Sequence, residues 1–178
     1  MKCIRPISAC AVPIAFVAFI AVACRHEEPA ENRASAPPSP RAVRPLPDEA
    51  FRVEWTANTV PGVMKAGTSS NVSITFRNLS SVPWPDPRSS GYEPLGAGAV
   101  RLAYRWWPAS SQSPIGWAPS RADLGQTLQP GQAVTLNLVV TAPSAPGEYR
   151  LQFDLLQELA VWFEAKGAPR LFIPVRVQ

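Results

Sequence analysis

Six short stretches after residue 50 alternate apolar and polar side chains one for one, and a period of two fits the pleat of a β-strand with one buried face. Phe51, Val53 and Trp55 alternate with Arg52 and Glu54, and Val72, Ile74 and Phe76 with Ser73 and Thr75. Val100, Leu102, Tyr104 and Trp106 form a third series, and Val134, Leu136, Leu138 and Val140 a fourth. Tyr149, Leu151, Phe153 and Leu155 form a fifth, and Leu171, Ile173, Val175 and Val177 the last. No segment carries a helical stripe of useful length. Pro61-Gly62, Pro130-Gly131 and Pro146-Gly147 punctuate the runs as turns. This pattern predicts an all-β domain over 51–178, an antiparallel β-sandwich of about seven strands. Pro174 inside the last run predicts an edge strand or a bulge, and such an edge weighs against strand-by-strand self-assembly.

The amino terminus is of another kind. Lys2 and Arg5 precede an apolar stretch from Ala11 to Ala23 that only Pro13 interrupts, the layout of an export signal over 1–23. As a helix the stretch would cover roughly 20 Å, short of the roughly 30 Å hydrocarbon core, which argues against a permanent membrane span. It ends Ala21-Val22-Ala23-Cys24, which resembles the lipobox of bacterial lipoproteins, with Ala21 where leucine is commonest. The resemblance implies that Cys24 is acylated, with palmitate among the fatty acids, and becomes the first mature residue. It also implies anchoring in a bacterial envelope. Arg25 replaces the aspartate that marks inner-membrane retention in enteric lipoproteins, so the expected address is the outer membrane where one exists, on its periplasmic face. Ordinary cleavage with a free or paired Cys24 stays open. The other two of the three cysteines, Cys3 and Cys10, leave with the signal, so the mature domain has no internal disulfide and must rely on its core.

Between anchor and domain, residues 24–50 carry Pro29, Pro37, Pro38, Pro40, Pro45 and Pro47 and no aromatic residue. Such a segment buries too little apolar surface to offset its ordering entropy, and it is expected to be a disordered tether. As coil it would span on the order of 30 Å, and about 80 Å if drawn out as polyproline II. The single histidine, His26, lies here with no partner for a metal or catalytic role.

Within the folded region, Ala142-Pro143-Ser144-Ala145-Pro146-Gly147-Glu148-Tyr149 sets a tyrosine just after a turn at a strand start, the place of the tyrosine corner in immunoglobulin-like sandwiches. Where disulfide-bonded relatives have a cysteine two residues on, this chain has Leu151, and an apolar pair, with Ile74 as one candidate, would stand in for the bridge. Trp106 would supply the core tryptophan. Phe76-Arg77-Asn78, Trp84, Gly131, Ala142-Pro143, Pro146-Gly147, Tyr149, Asp154, Glu158, Trp162-Phe163 and Gly167 together resemble small bacterial immunoglobulin-like domains. Domains of that kind are appended to glycosyltransferases and other glycan-processing enzymes. A similar pattern occurs in the tryptophan-rich immunoglobulin-like domain of selective-autophagy receptors. The resemblance implies a fold and leaves function to the surface.

The chemical inventory narrows that function. After residue 50 there is neither histidine nor cysteine, which removes His-based acid–base chemistry, thiol nucleophiles and the usual zinc sites. No phosphate loop and no acidic calcium loop occurs, so neither a metal nor a cofactor is expected. The net charge of +4 becomes +2 once Lys2 and Arg5 leave with the signal, too weak and scattered for a nucleic-acid binder. Asp154 and Glu158 could be nominated as a glycosidase pair. Cross-strand ion pairing of Asp154 with Arg101 and Arg105 explains those residues without catalysis. Asn71-Val72-Ser73 and Asn78-Leu79-Ser80 match the glycosylation acceptor pattern and read as chance matches at strand ends.

Trp107 follows the inward Trp106 and should face outward beside Arg105 and Arg101. That trio is the candidate binding surface, for a protein partner or for a sugar ring stacked on the indole. Cover by the loop 79–98 or the segment 108–117 is the competing reading, and it applies equally to Trp84 and Trp117, whereas Trp55 and Trp162 are expected in the core. The sequence thus predicts a non-catalytic, lipid-anchored module recruiting or bracing an envelope protein, with binding of envelope polysaccharide as the alternative.

Overall fold

Each of the six periodic runs forms a strand in the computed structural model, which describes residues 43–89, 96–115 and 120–178. In chain order the strands are β1 (Val53–Asn58), β2 (Val63–Met64), β3 (Ser69–Asn78), β4 (Val100–Pro108), β5 (Arg121–Asp123), β6 (Ala133–Thr141), β7 (Gly147–Gln157), β8 (Val161–Trp162) and β9 (Leu171–Val177). The very short β2, β5 and β8 have no room for a periodic signature. Two 3-10 turns, Asp48–Ala50 and Phe163–Lys166, are the helical elements among the described residues.

The strands make two sheets. The smaller has the order β1-β3-β6 and the larger β2-β9-β7-β4-β5, with β8 against β7. All pairings are antiparallel except β2 with β9. Non-consecutive neighbours in both sheets and the crossing of the chain between them make this an immunoglobulin-like sandwich. The inward parity fills its core: Val72, Ile74 and Phe76 from β3, Leu136, Leu138 and Val140 from β6, Leu102, Tyr104 and Trp106 from β4, and Leu151, Phe153 and Leu155 from β7 are all buried. Ile74 and Leu151 belong to this one cluster.

Aromatic groups clasp the sheets together. On β4, the Trp106 indole donates to the Thr141 carbonyl at 2.8 Å, and the Tyr104 hydroxyl accepts from the Thr141 N–H at 3.1 Å. Tyr149 packs edge-on against Trp106 with centroids 5.9 Å apart, and its hydroxyl donates back to the Ala145 carbonyl at 2.9 Å. The ring lies over Gly147, where an added Cβ would come within 3.3 Å of it. The turn leading into β6 depends on Gly131 at φ 78°, which leaves Gln132 N–H on the Gln129 carbonyl.

The expected boundary at Phe51 moves toward the amino terminus. Gln157 holds the preceding chain on both sides, accepting from Leu46 N–H at 2.8 Å and donating to the Arg44 carbonyl at 3.1 Å. Ala50 is buried, and its carbonyl accepts from the Trp84 indole at 2.7 Å. The last residues of the expected tether are thus part of the folded unit, because they cap the open end of the core. The expected signal segment, Cys24 and the tether up to residue 42 lie outside the described residues.

Asn78 ends β3 in a buried polar knot. Its amide donates to the carbonyls of Val82 and Leu128, and its oxygen accepts from the Ser80 N–H and hydroxyl. This pins the following loop so that Trp84 drops into the core, pairing through backbone with Leu128 and stacking edge-on against Phe163. An Asn amide so occupied is no glycan acceptor. Pro174 sits on β9 opposite Arg150, beyond the reach of β2, which pairs only with Arg176 and Val177.

Candidate functional site

The outer face of the larger sheet gathers most of the residues that the sequence marks for function. On β4 the outward positions are Arg101, Ala103, Arg105 and Trp107, and across from them on β7 stand Leu156, Asp154, Gln152 and Arg150. On β9, Phe172 and Pro174 continue the rows from Gln152 and Arg150.

Arg101, Arg105 and Trp107 share this face but do not form one free patch. Arg101 is held at one end, with Nε 2.6 Å from the Asp123 carboxylate and a terminal nitrogen 3.3 Å from Glu158. Burial opposes its charge, but the hydrogen bonds and charges of Asp123 and Glu158 outweigh it and raise the guanidinium pKa. Arg105, in the middle, lies 3.7 Å above the ring of Trp162 and 2.8 Å from Glu164. Trp107, at the other end, is half-buried. Its indole N–H donates to Gln152 at 2.6 Å and its ring meets Phe172 edge-on at 6.2 Å. Trp162, expected in the core, is instead the half-buried base of an arginine stack. Trp55 is half-buried at the core margin, and its indole donates to the Pro169 carbonyl.

The placement of Asp154 corrects the sequence reading. It was expected to pair with Arg101 and Arg105 across the strands, but its cross-strand neighbour is Ala103 and it is only 1% exposed. The segment that follows β8 folds back over it: one carboxylate oxygen accepts from Leu155 N–H at 2.8 Å and the other from Glu164 N–H at 3.4 Å. Burial, reinforced by the neighbouring Glu164 carboxylate, pushes its pKa up to about 7. The ion pairs fall to other acids, Glu158 with Arg101 and Arg121, and Glu164 with Arg105 and Arg170. Nothing in the sequence period distinguishes an outward residue that stays in water from one that a later segment covers.

Sequence reasoning missed four participants here. Phe172 is 38% exposed, and the guanidinium groups of Arg150 and Arg170 lie 5.7 and 5.0 Å from its ring. Gln152 is fully buried on an outward position, and among the described residues neither its Nε2 nor the buried Nε of Arg150 has an acceptor. A glutamine and an arginine at alternate outward positions of one strand were the available signal. Two clefts lie elsewhere. One of about 550 Å³ runs between β5 and β6, and one of about 240 Å³ is lined by Arg121 and residues 156–162. Among the described residues no three His, Cys, Asp or Glu side chains gather to hold a metal, and no helix is long and apolar enough to cross a membrane. Trp117 lies outside the described residues.

No family model and no curated protein sequence matches the chain. Among solved structures it is similar to the CARDB domain of a Pyrococcus furiosus protein in complex with di-metal ions, with TM-score 0.42 and 13% identity over 71% of this chain and 84% of that one. It is similar also to a mutant β-glucosidase from Listeria innocua in complex with laminaribiose, with TM-score 0.39 and 14% identity over 71% of this chain and 16% of that one. A β-glucosidase from Erythrobacter marinus gives TM-score 0.42 and 11% identity over 71% and 15%. The match thus spans most of the CARDB domain and a small part of either glucosidase.

Proposed function

We propose that this chain is a non-catalytic, lipid-anchored protein of a bacterial cell envelope whose immunoglobulin-like domain recruits or braces a protein partner. Acylation at Cys24 holds it to the membrane, and the proline-rich segment lets the domain stand away from the bilayer. The observation that carries the binding surface is the corner formed by Trp107, Phe172 and Arg150. There the half-buried Trp107 indole meets the exposed Phe172 ring edge-on, and the Arg150 guanidinium lies 5.7 Å from that same ring. Aromatic and arginine side chains are the groups that dominate protein interfaces. Neither of these two clefts includes Trp107.

The test is capture from solubilised envelope proteins and, in parallel, from envelope polysaccharide, using the full chain beside its Trp107→Ala and Phe172→Ala variants. Retention of a defined protein that both substitutions weaken supports the reading. Retention of polysaccharide alone replaces it with the glycan reading. The anchor has its own test: Cys24→Ala is expected to abolish fatty-acid labelling and membrane pelleting, and a variant that still incorporates fatty acid refutes the anchor.

A further inference from the structure

Both sheets end on the same side of the sandwich. β6 closes the smaller sheet and β5 the larger, and the cleft of about 550 Å³ between them is lined by Arg121–Asp123 and Thr135–Val139. The remaining edges carry recognised protections against pairing. β1 has a bulge between Trp55 and Ala57, and β9 has Pro174 and a cap of two residues from β2. β6, Ala-Val-Thr-Leu-Asn-Leu-Val-Val-Thr, has no charge, no proline, no glycine and an unbroken register with β3.

The hydrogen-bonding direction along β6 follows from its ends. Thr141 turns its N–H and C=O away from β3, to Tyr104 and Trp106, while Gln132 gives its C=O to Asn78 at the end of β3. Backbone groups alternate in an antiparallel ladder, so Ala133, Thr135, Asn137 and Val139 also point outward. No hydrogen bond among the described residues uses their backbone groups. β5 adds a charge pattern that reads the same under a two-fold turn. A dyad through Ala122 sets Arg121 opposite Asp123 of a second copy, and Asp123 opposite its Arg121. A dyad through Leu136 sets Thr135 opposite Asn137 and Ala133 opposite Val139, every rung pairing two outward residues. Because the sheets of a sandwich lie nearly parallel, one axis normal to both serves both edges, and Ala122 and Leu136 line the same cleft.

We infer that a second copy of this chain docks edge to edge, β6 against β6 and β5 against β5, antiparallel about one two-fold axis, so that both sheets continue across the dimer. Closure under the dyad uses up both open edges and ends the assembly at two copies.

The experiment measures the protein mass of the full chain in detergent by light scattering over a concentration series, with the micelle mass subtracted. The wild type is expected to move from one to two chains. Val139→Pro removes an N–H that faces away from β3, so it is expected to leave the circular dichroism spectrum unchanged and hold the protein at one chain. Asp123→Arg sets like charges opposite each other and is also expected to give one chain. Combining it with Arg121→Asp restores opposite charges across the axis and is expected to restore two, although the ion pairs to Arg101 and Glu158 within each chain are lost. A merely stabilising role for these pairs would not be rescued by the swap. A wild type that stays at one chain at every concentration overturns the inference, as does association indifferent to Val139→Pro and to Asp123→Arg.

Discussion

The outer faces of the two sheets carry the same alternation and have opposite fates. On the smaller sheet the outward side chains stay in water and pair as small hydroxyl and amide groups: Ser69 with Thr141 at 2.9 Å, Ser73 with Asn137 at 2.6 Å and Thr75 with Thr135 at 2.9 Å. On the larger sheet Gln152 and Asp154 occupy equally outward positions and are buried: the chain from β8 onward returns across Asp154 and brings Trp162, Glu164 and Arg170, while Trp107 and Phe172 flank Gln152. Strand parity therefore decides which side of a sheet a residue is on. Whether that side is wet depends on residues far along the chain.

The contrast can be broken hardest where the larger sheet grips the smaller. Trp106→Ala removes a core side chain and leaves the Thr141 carbonyl without its donor. It is expected to cost about 3–5 kcal/mol in denaturant unfolding.

Asp154 is the next lever, and it works through pH. Its carboxyl sits at about 7 in the fold against an ordinary 3.8, so between these values the folded state keeps a proton that the unfolded state has lost. Stability is greatest below the ordinary value and falls as pH rises through about 7. Asp154→Asn is expected to flatten that decline, seen as a Tm that barely changes between acid and neutral pH. A wild type whose Tm holds steady across this range would refute the assignment.

Glu164→Gln tests the cover itself. It loosens Arg105 and Arg170 together, at an expected cost of about 1–2 kcal/mol at neutral pH. It also removes a neighbouring negative charge from Asp154, so the pH-dependent decline is expected to shift to lower pH in the same Tm series. At the hairpin between β7 and β8, Leu159 is 72% exposed at φ 59°. Relief of the left-handed strain by Leu159→Gly is expected to stabilise the fold by up to about 1 kcal/mol in thermal unfolding. On the solvated sheet, replacing Thr75 and Thr135 together by valine is expected to stay within about 0.5 kcal/mol. A large loss there would mean that the hydroxyl pair does more than solvate an open face.

Much of the architecture was legible in the residues. The six periodic runs became β1, β3, β4, β6, β7 and β9, because a half-buried strand writes its parity into every second side chain. Tyr149 and the Pro-Gly turns marked their corners for a similarly local reason. The short strands were invisible, since two or three residues carry no period, and the fold's true start was hidden because Leu46 and Ala50 sit among prolines. For the candidate site, β4 parity set Arg101, Arg105 and Trp107 on one face. It could not show that Arg101 and Arg105 are occupied by acids from other elements, nor that Phe172 and Gln152 are Trp107's companions.

The amino-acid order by itself determined the strand parity, the turns, the absence of histidine and cysteine from the domain and the all-β class, because each follows from neighbours in the chain. Only the tertiary structure decided which outward face is covered, which acid meets which arginine, why Asp154 holds its proton near neutrality and which edge stands open. Those depend on residues tens of positions apart meeting in space, and on the water their meeting excludes.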